Sequence, residues 1–590
     1  MPDTNVINDS NPAENVDKKM VDFVTKEFTR YENFHRERFD KMKRIYDRWK
    51  NKPIGRDEPW QNQVNVPVML QGEQTVTPRL FTALFPNDAP IDVKNEGDTP
   101  ADQANRIKAL IQHYFRVNEV QVGSLPTLTQ NTLFGTGYAE AGMWKQRYGW
   151  IHGQDGQRKW SLIENRPGFS AVDFFEVFPH PAKIDPEDAL PLIRRRYVDS
   201  EVLKKLADAP GFKNLKEALD SRCPVKSDKD YQPEEGEEYE LLEYWGPHDE
   251  EVHEEGRTEV KKGVPFWMGV INRTVLVKHM PNPYNHQCSG LVKTKLFEDA
   301  TPSWFGYGLG EAGLPTQERL NKLVNQRLDN VDLVLNKQGF YNGNDTLINT
   351  KRLEVSKPGQ WHKVSDTVTS IRWMETPDVT QSSYNEEKLA KDDFREATGA
   401  VAQLMPSGEQ HRTAMGINLL TEAAGMRFRP ILRRMETHYV QRIAMYYFSN
   451  LKQFMSEAQW VQITGKNGEM IPIQVTPEQI QAKVFFVPTG ISETVNKEIQ
   501  VTQLLKFKEI TKDDPTVNRH EINRRIAELM GFKDVNKLIV PGQPVQNQGP
   551  DTATQLKIQQ RVAEGATPDQ IKQEVLGPRP SVQPVAAGGQ

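Results

Sequence analysis

Between residues 14 and 50, Val16, Met20, Phe23, Val24, Tyr31, Phe34, Met42, Ile45, Tyr46 and Trp49 recur at three- and four-residue steps among mixed charges. This spacing predicts one long amphipathic helix, packed on its own domain rather than on a membrane, ended by Pro53, Gly55 and Pro59. Further helices are predicted across 64–115, broken by an extended Ile91-Asp92-Val93. Alternating residues from Tyr138 to Tyr148, glycines at 149, 153 and 156, and a return over 159–165 predict a β-hairpin. Strands are expected at 173–181, 239–245 and 264–277, with a polar hairpin tip over 247–256, and a short helix from Ser200.

Leu320, Val324, Leu328, Val331 and Leu335 form an apolar stripe on a second long helix, with Glu318, Lys322, Asn325, Asp329 and Asp332 on its other faces. A third helix is expected from Gly416 towards Ser456, kinked at Pro430 by the missing N–H and the ring clash. Between them, 346–353 and 367–374 read as short strands of a compact insertion. A hairpin over 460–475, a strand at 483–487 and helices over 493–509 and 519–530 follow, and Pro, Gln, Gly and Ala dominate after Val540. The fold class is α+β, predominantly helical, in several units, because 590 residues exceed a single core.

Composition narrows the function. Lys and Arg number 75 against 80 Asp and Glu, a net charge of -5, which argues against a protein that coats nucleic acid through a uniformly basic surface. Two cysteines, Cys223 and Cys288, provide neither a disulfide framework nor a CxxC zinc pair, as expected of a chain made in a reducing cytoplasm. Residues 1–15 lack a secretory pattern, and no window is apolar enough to span a bilayer, so no stable membrane insertion is expected.

Catalytic motifs are missing too. Thr464-Gly465-Lys466-Asn467-Gly468 lacks the hydroxyl of a phosphate-binding loop, and Gly306-Tyr307-Gly308-Leu309-Gly310 lacks the strand-loop-helix context, so it reads as a flexible joint. His248 and His253 sit at a spacing that suits a solvated turn rather than a metal. Neither enzyme activity, metal nor cofactor is expected, although a dispersed carboxylate site of a nuclease-like enzyme stays open as an alternative. The most informative stretch is 400–416, a polar loop carrying Gln403, Gln410, His411 and Arg412 between helices. Arg427, Arg433 and Arg434 follow, as charged rings or intersubunit pairs in an assembly.

The order of several strings resembles the portal proteins of tailed bacteriophages, particularly the larger ones of short-tailed phages. They are Leu133-Phe134-Gly135-Thr136-Gly137-Tyr138, Asp173-Phe174-Phe175-Glu176-Val177-Phe178-Pro179-His180-Pro181 with Ile193-Arg194-Arg195-Arg196, and Ser303-Trp304-Phe305-Gly306-Tyr307-Gly308 leading to Gln317-Glu318-Arg319-Leu320-Asn321. Arg395-Glu396-Ala397-Thr398-Gly399 and Arg412-Thr413-Ala414-Met415-Gly416-Ile417 complete the set.

The resemblance implies a ring, usually a dodecamer, at one capsid vertex of the virion, through which double-stranded DNA is packaged and ejected. It further implies docking of the terminase large subunit, then of adaptor, neck and tail proteins, contact with major capsid and scaffolding proteins, and a role in nucleating head assembly. It maps residues 1–301 to a wing, 302–336 and 381–398 to two stem helices, and 337–380 to a clip. Residues 399–416 become a channel loop, 417–456 a long wing helix, 457–490 a β return to the wing, 491–540 a crown, and 541–590 a crown extension or disordered tail. Gln403, Gln410, His411 and Arg412 would then face DNA, and Trp361 and Trp373 a partner at the clip, with at least one of the two expected in a clip core. Another connector ring is a further alternative, though such chains are usually shorter.

Overall fold

Val21, Val24, Phe28, Tyr31, Met42 and Ile45 fall on one face of a helix, and in the computed structural model Pro12–Trp49 forms that helix with this face fully buried. The structure describes residues 12–398 and 429–530, apart from 54, 56–57, 98–99, 153–156, 207–210, 222–237, 255–256, 354–360, 376, 378–379, 465–469, 490–500, 502 and 512–517, together with 559–560 and 562–563. The chain divides into two compact units, 1–463 with 470–495, and 464–469 with 496–590. In the second unit the helix Arg519–Leu529 buries Ile522, Ile526 and Ala527 along one side.

The first unit mixes helices and sheets. Its largest sheet is antiparallel, in the order β10-β9-β8-β7-β6, built from Val275–Pro281, Arg257–Ile271, Glu238–Glu254, Leu192–Asp199 and Val177–Pro179. The N-terminal helix packs on it, Phe28 and Phe39 meeting Phe178 edge-on with centroids 4.9 and 5.0 Å away. A second sheet pairs β11 (Leu291–Lys295), β2 (Thr136–Glu140) and β5 (Ser170–Val172). β1 (Ile91–Asn95) pairs with β16 (Val484–Pro488), so the chain returns late in the sequence to its early part. The remaining ladders are two-stranded: β3 (Trp144–His152) with β4 (Arg158–Pro167), β12 (Gly339–Tyr341) with β13 (Ile371–Trp373), and β14 (Gln459–Thr464) with β15 (Met470–Val475).

Four details differ from the sequence expectation. The expected strand over 264–277 is two strands, because Asn272 and Arg273 take φ of 49° and 60° in a tight turn, and the Arg273 guanidinium grips Glu240 at 2.7 and 2.9 Å. Within the expected tip over 247–256, residues 247–254 are strand, whose register sets Glu250 opposite Lys261 and Glu254 opposite Arg257. Residues 174–176 form a 3-10 turn rather than strand, since the Asp173 carboxylate accepts the Phe175 N–H at 3.1 Å. Within 346–353 the structure shows a short helix, Thr350–Leu353, whose Arg352 N–H is accepted by the Asn349 side chain.

The second long helix, Leu309–Leu335, buries a polar stripe that apolar periodicity does not reveal. Gln317, Asn321, Asn325 and Asp329, four residues apart, bond the backbone of 62–69. Asp329 accepts the Asn62 N–H at 2.7 Å, Asn325 accepts that of Val64 at 2.7 Å, Asn321 that of Val66 at 2.9 Å, and Gln317 that of Met69 at 3.1 Å. Asn325 and Gln317 also donate to the Val64 and Val66 carbonyls, at 2.9 and 2.6 Å. The match is geometric: four helical residues rise about 6.0 Å and two extended residues about 6.6 Å, so alternate backbone groups meet successive helical turns. Asn325 and Asp329 therefore do not belong to a solvated face.

The two glycine strings meet backbone to backbone. A Cβ on Gly306 or Gly308 would lie 2.4 Å from Gly135 O or Gly135 N, and one on Gly135 would lie 2.5 Å from Gly306 O. Gly306 N–H donates to Thr136 Oγ1 at 2.8 Å, and Trp304 Nε1 to Tyr138 Oη at 2.7 Å. The glycine-rich 306–310 string is thus a packed crossing, not a flexible joint. Gly308 has an ordinary φ of -104°, so space alone excludes a side chain there.

Two stability outcomes follow in denaturant titrations. Asn325→Leu orphans both Val64 backbone groups and is expected to cost about 1–3 kcal/mol for each. Gly308→Ala is expected to cost at least about 1–3 kcal/mol through overpacking, whereas Gly343→Ala, with open space around its Cβ position, leaves the midpoint unchanged.

Candidate functional site

The helix Leu309–Leu335 and the helix Thr380–Thr398 pack side by side with opposite directions. Near the base, Phe394 fills a notch left by Gly313 and Gly72, whose Cβ positions lie 2.3 and 3.0 Å from its ring. Further along, Glu387 receives Arg327 and Lys391, each at 2.6 Å, while Arg327 also stands over the Tyr384 ring at 4.1 Å. Arg319 bridges to Glu386 at 2.8 Å. The base of this hairpin is clamped by the N-terminal helix, whose Arg38 and Lys41 reach the buried Glu311 at 3.0 and 2.8 Å.

At the far end of the pair lies the lobe 337–379. Among its described residues the only regular pairing is β12 with β13, and Asp345 acts as the hub. The Asp345 carboxylate accepts the Ser365 N–H at 2.8 Å, the Ser365 hydroxyl at 2.5 Å, the Ser370 hydroxyl at 2.6 Å and the Leu347 N–H at 3.0 Å. Hydrogen bonds from Ser365 and Ser370 hold its pKa well below the ordinary carboxylate range. Among the described residues of the lobe only Asp345 and Ser370 are buried, and both are polar. Phe340, Tyr341, Val368 and Met374 are exposed. Trp361 is 90% exposed and Trp373 60%, which corrects the expectation that one of them forms a core.

Gln403, Gln410, His411, Arg412 and Arg427 lie outside the described residues, as does the stretch of the expected third helix before 429. From there the helix runs Arg429–Met435, passes through a π-helical stretch, Glu436–Gln441, and continues as Arg442–Phe454. Nothing in the sequence signals that widened turn, which sits beyond Pro430. Arg433 is exposed. Arg434 is half-buried and engaged within the chain, donating to the Lys295 and Leu296 carbonyls at 2.5 and 3.0 Å and pairing with Glu298 at 3.0 Å. Burial lowers its pKa, which Glu298 opposes.

These contacts staple the helix that follows residue 428 to the segment feeding the helix Leu309–Leu335. Lys295 donates to Ser303 O at 2.6 Å, and Lys293 donates to the Ile184 carbonyl and to Trp304 O, its Nζ 4.3 Å above the Trp304 ring. Burial pushes Lys293 down to about 7, with Lys295 adding repulsion while Asp185 and Glu298 oppose it. Burial likewise lowers Lys183 and Lys278 to about 8. Sequence reading missed all three, although Lys278 and Lys293 directly follow the apolar runs Val275-Leu276-Val277 and Leu291-Val292. His248, expected in a solvated turn, instead packs its ring 5.5 Å from Phe23 and 5.6 Å from Phe266. The side chain of His253 lies outside the described residues. Among the described residues no cluster of His, Cys, Asp and Glu is arranged to hold a metal, and no helix is long and apolar enough to cross a membrane.

Two measurements test these electrostatics. The three lysines have folded pKa values below the ordinary 10.5, so the unfolded chain binds more protons between about pH 7 and 10 and their contribution to stability grows as pH rises through that window. The unfolding midpoint of Lys293→Met is expected to rise less between pH 7 and 8.5 than that of the wild type. Asp345→Ala is expected to open the lobe selectively, seen as faster proteolysis within 337–379 with the global unfolding midpoint nearly unchanged.

The sequence matches the model of the family described as phage SU10 portal protein over residues 163–567, well over half of the chain, and the chain belongs to this family. No curated protein matches it.

Proposed function

We propose that this member of the phage portal family forms a dodecameric channel at a single capsid vertex, through which double-stranded DNA is packaged and later ejected. The observation that carries the reading beyond family membership is the helical pair Leu309–Leu335 and Thr380–Thr398, clamped at its base and ending in a lobe whose described residues form no apolar core. A rod with a rigid foot and an unfinished tip suits a subunit whose tip is completed by its neighbours.

In this reading residues 1–301 form the wing, the two helices the stem, and 337–380 the clip, with 399–416 as the channel loop, 417–490 returning to the wing and 491–540 forming the crown. Trp361 and Trp373 present large apolar surface at the clip, suited to the terminase large subunit during packaging and to adaptor and tail proteins afterwards. Gln403, Gln410, His411 and Arg412 contact DNA from the loop, and Arg427 and Arg433 supply charge around the channel. A mildly acidic chain favours passage over capture, since each neutralised phosphate adds affinity through counterion release. The staple of Arg434 onto 295–298 offers a route by which strain in the loop reaches the stem, as a sensor of packed DNA would require. ATP hydrolysis belongs to the separate motor. Contacts with capsid and scaffolding proteins would allow the ring to nucleate head assembly.

Electron microscopy of the purified chain tests the proposal. Rings of about twelve copies with an axial hole are expected, and Trp361→Ser with Trp373→Ser should leave rings intact while weakening terminase capture. A monomer with metal-dependent nuclease activity would instead favour an enzyme with a dispersed carboxylate site.

A further inference from the structure

Among the described residues the β3–β4 ribbon has no partner strand, yet it carries more exposed aromatic surface than its size explains. Its first rungs are anchored: the Trp144 ring packs 5.4 Å from Phe454, Trp144 Nε1 donates to Asn165 at 2.7 Å, and Asn118 Nδ2 donates to the Pro167 carbonyl at 3.0 Å. Beyond the bulge between Arg147 and Tyr148 the rungs pair Tyr148 with Leu162, Trp150 with Trp160 and His152 with Arg158 on one face. Tyr148, Trp150, Trp160 and Leu162 are all exposed, and the two indoles meet edge-on at 5.3 Å. On the other face, Lys145, Arg147 and Arg166 surround the single carboxylate of Glu164 at 3.4, 3.1 and 3.9 Å.

An isolated two-stranded ribbon is marginal in water, and a contiguous exposed apolar face of this kind marks a contact. We propose that this ribbon is a clasp between copies of this chain, its aromatic face seated on the acidic surface of the next copy; this rests on the ring reading above. Charge selects the occupant. Residues 144–167 hold five cations, Lys145, Arg147, Arg158, Lys159 and Arg166, against two carboxylates, Asp155 and Glu164, a net +3. The rest of a chain whose total is -5 therefore carries -8, so a neighbouring copy is complementary. A ring needs such a heterologous contact, in which one protomer's projection meets a different surface of the next. The rungs from Tyr148 to His152 project about 14 Å at 3.4 Å per residue, enough to reach a neighbouring surface. Double-stranded DNA fits less well, because four apolar side chains occupy the face that projects and phosphates ask for free cations.

The test uses the full-length chain. Trp150→Ser with Trp160→Ser, and separately Lys145→Glu with Arg147→Glu, are each expected to raise the half-assembly concentration by about tenfold or more in native mass measurements, while the monomer keeps the wild-type unfolding midpoint. Added salt should raise the wild-type value as well. A benzophenone amino acid at position 160 should yield chain-to-chain crosslinks in assembled wild-type rings. Should the serine variant not fold, the charge reversal and the crosslink decide. Rings assembling at wild-type concentration, with crosslinks from 160 confined to its own chain, DNA or another virion protein, overturn the clasp and leave the ring reading standing. A wild-type chain that never assembles overturns both.

Discussion

The polar stripe on the helix Leu309–Leu335 holds the rest of the structure in register. Each of its amides answers a backbone group of 62–69 that no strand satisfies, and the amide side chains themselves are removed from water. Asn65 extends the lattice, donating to the Arg48 carbonyl at 3.0 Å and to Asn51 at 2.9 Å, and so ties in the end of the N-terminal helix. A buried hydrogen bond contributes little net stability, but leaving its partner unmade is costly, so such a lattice is more a specification than a glue. It admits one register of helix against segment, and a slip of one residue leaves several buried groups unpaired.

With that register set, the glycine crossing of 135–137 with 306–308 can exist. Backbones at this separation leave no space for a methyl group, and every element threading the crossing, from β2 to the start of the long helix, is located by it. Lys293, Lys295 and Arg434 then stitch the same neighbourhood to the helix that begins at Arg429, through backbone carbonyls rather than through carboxylates alone. The outcome is a rigid foot at one end of the helical pair, in contrast to the lobe at the other, where burial among the described residues is limited to one carboxylate and one hydroxyl.

Where an element has one apolar face and one wet face, it is legible in the sequence: the N-terminal helix, the Leu320 stripe and the 460–475 hairpin all form close to their expected places. The buried polar stripe is not, because an asparagine on a helix ordinarily means solvent. Its signal was present all the same, in Gln317, Asn321, Asn325 and Asp329 at an unbroken spacing of four. The glycine strings were visible in order but not in meaning, since two segments 170 residues apart in the chain meet only in three dimensions. The strand at 264–277 read as one because Asn272-Arg273 lacks the glycine that usually marks a tight hairpin. Of the candidate site, the exposure of Trp361 could not be inferred from the sequence, because a tryptophan among polar residues is read as a core anchor. The loop residues 403–412 are a reading of the sequence alone.

A rigid foot and an incomplete tip differ in how readily their backbones open. Hydrogen exchange of the full-length chain, followed by mass spectrometry before and after assembly, compares them directly. Peptides covering 62–69 and 309–329 should be protected in the unassembled chain, while those covering 337–353 and 361–375 exchange rapidly and become protected on assembly. Fast exchange at 62–69 in the folded monomer, or a lobe equally protected with and without assembly, would contradict the account.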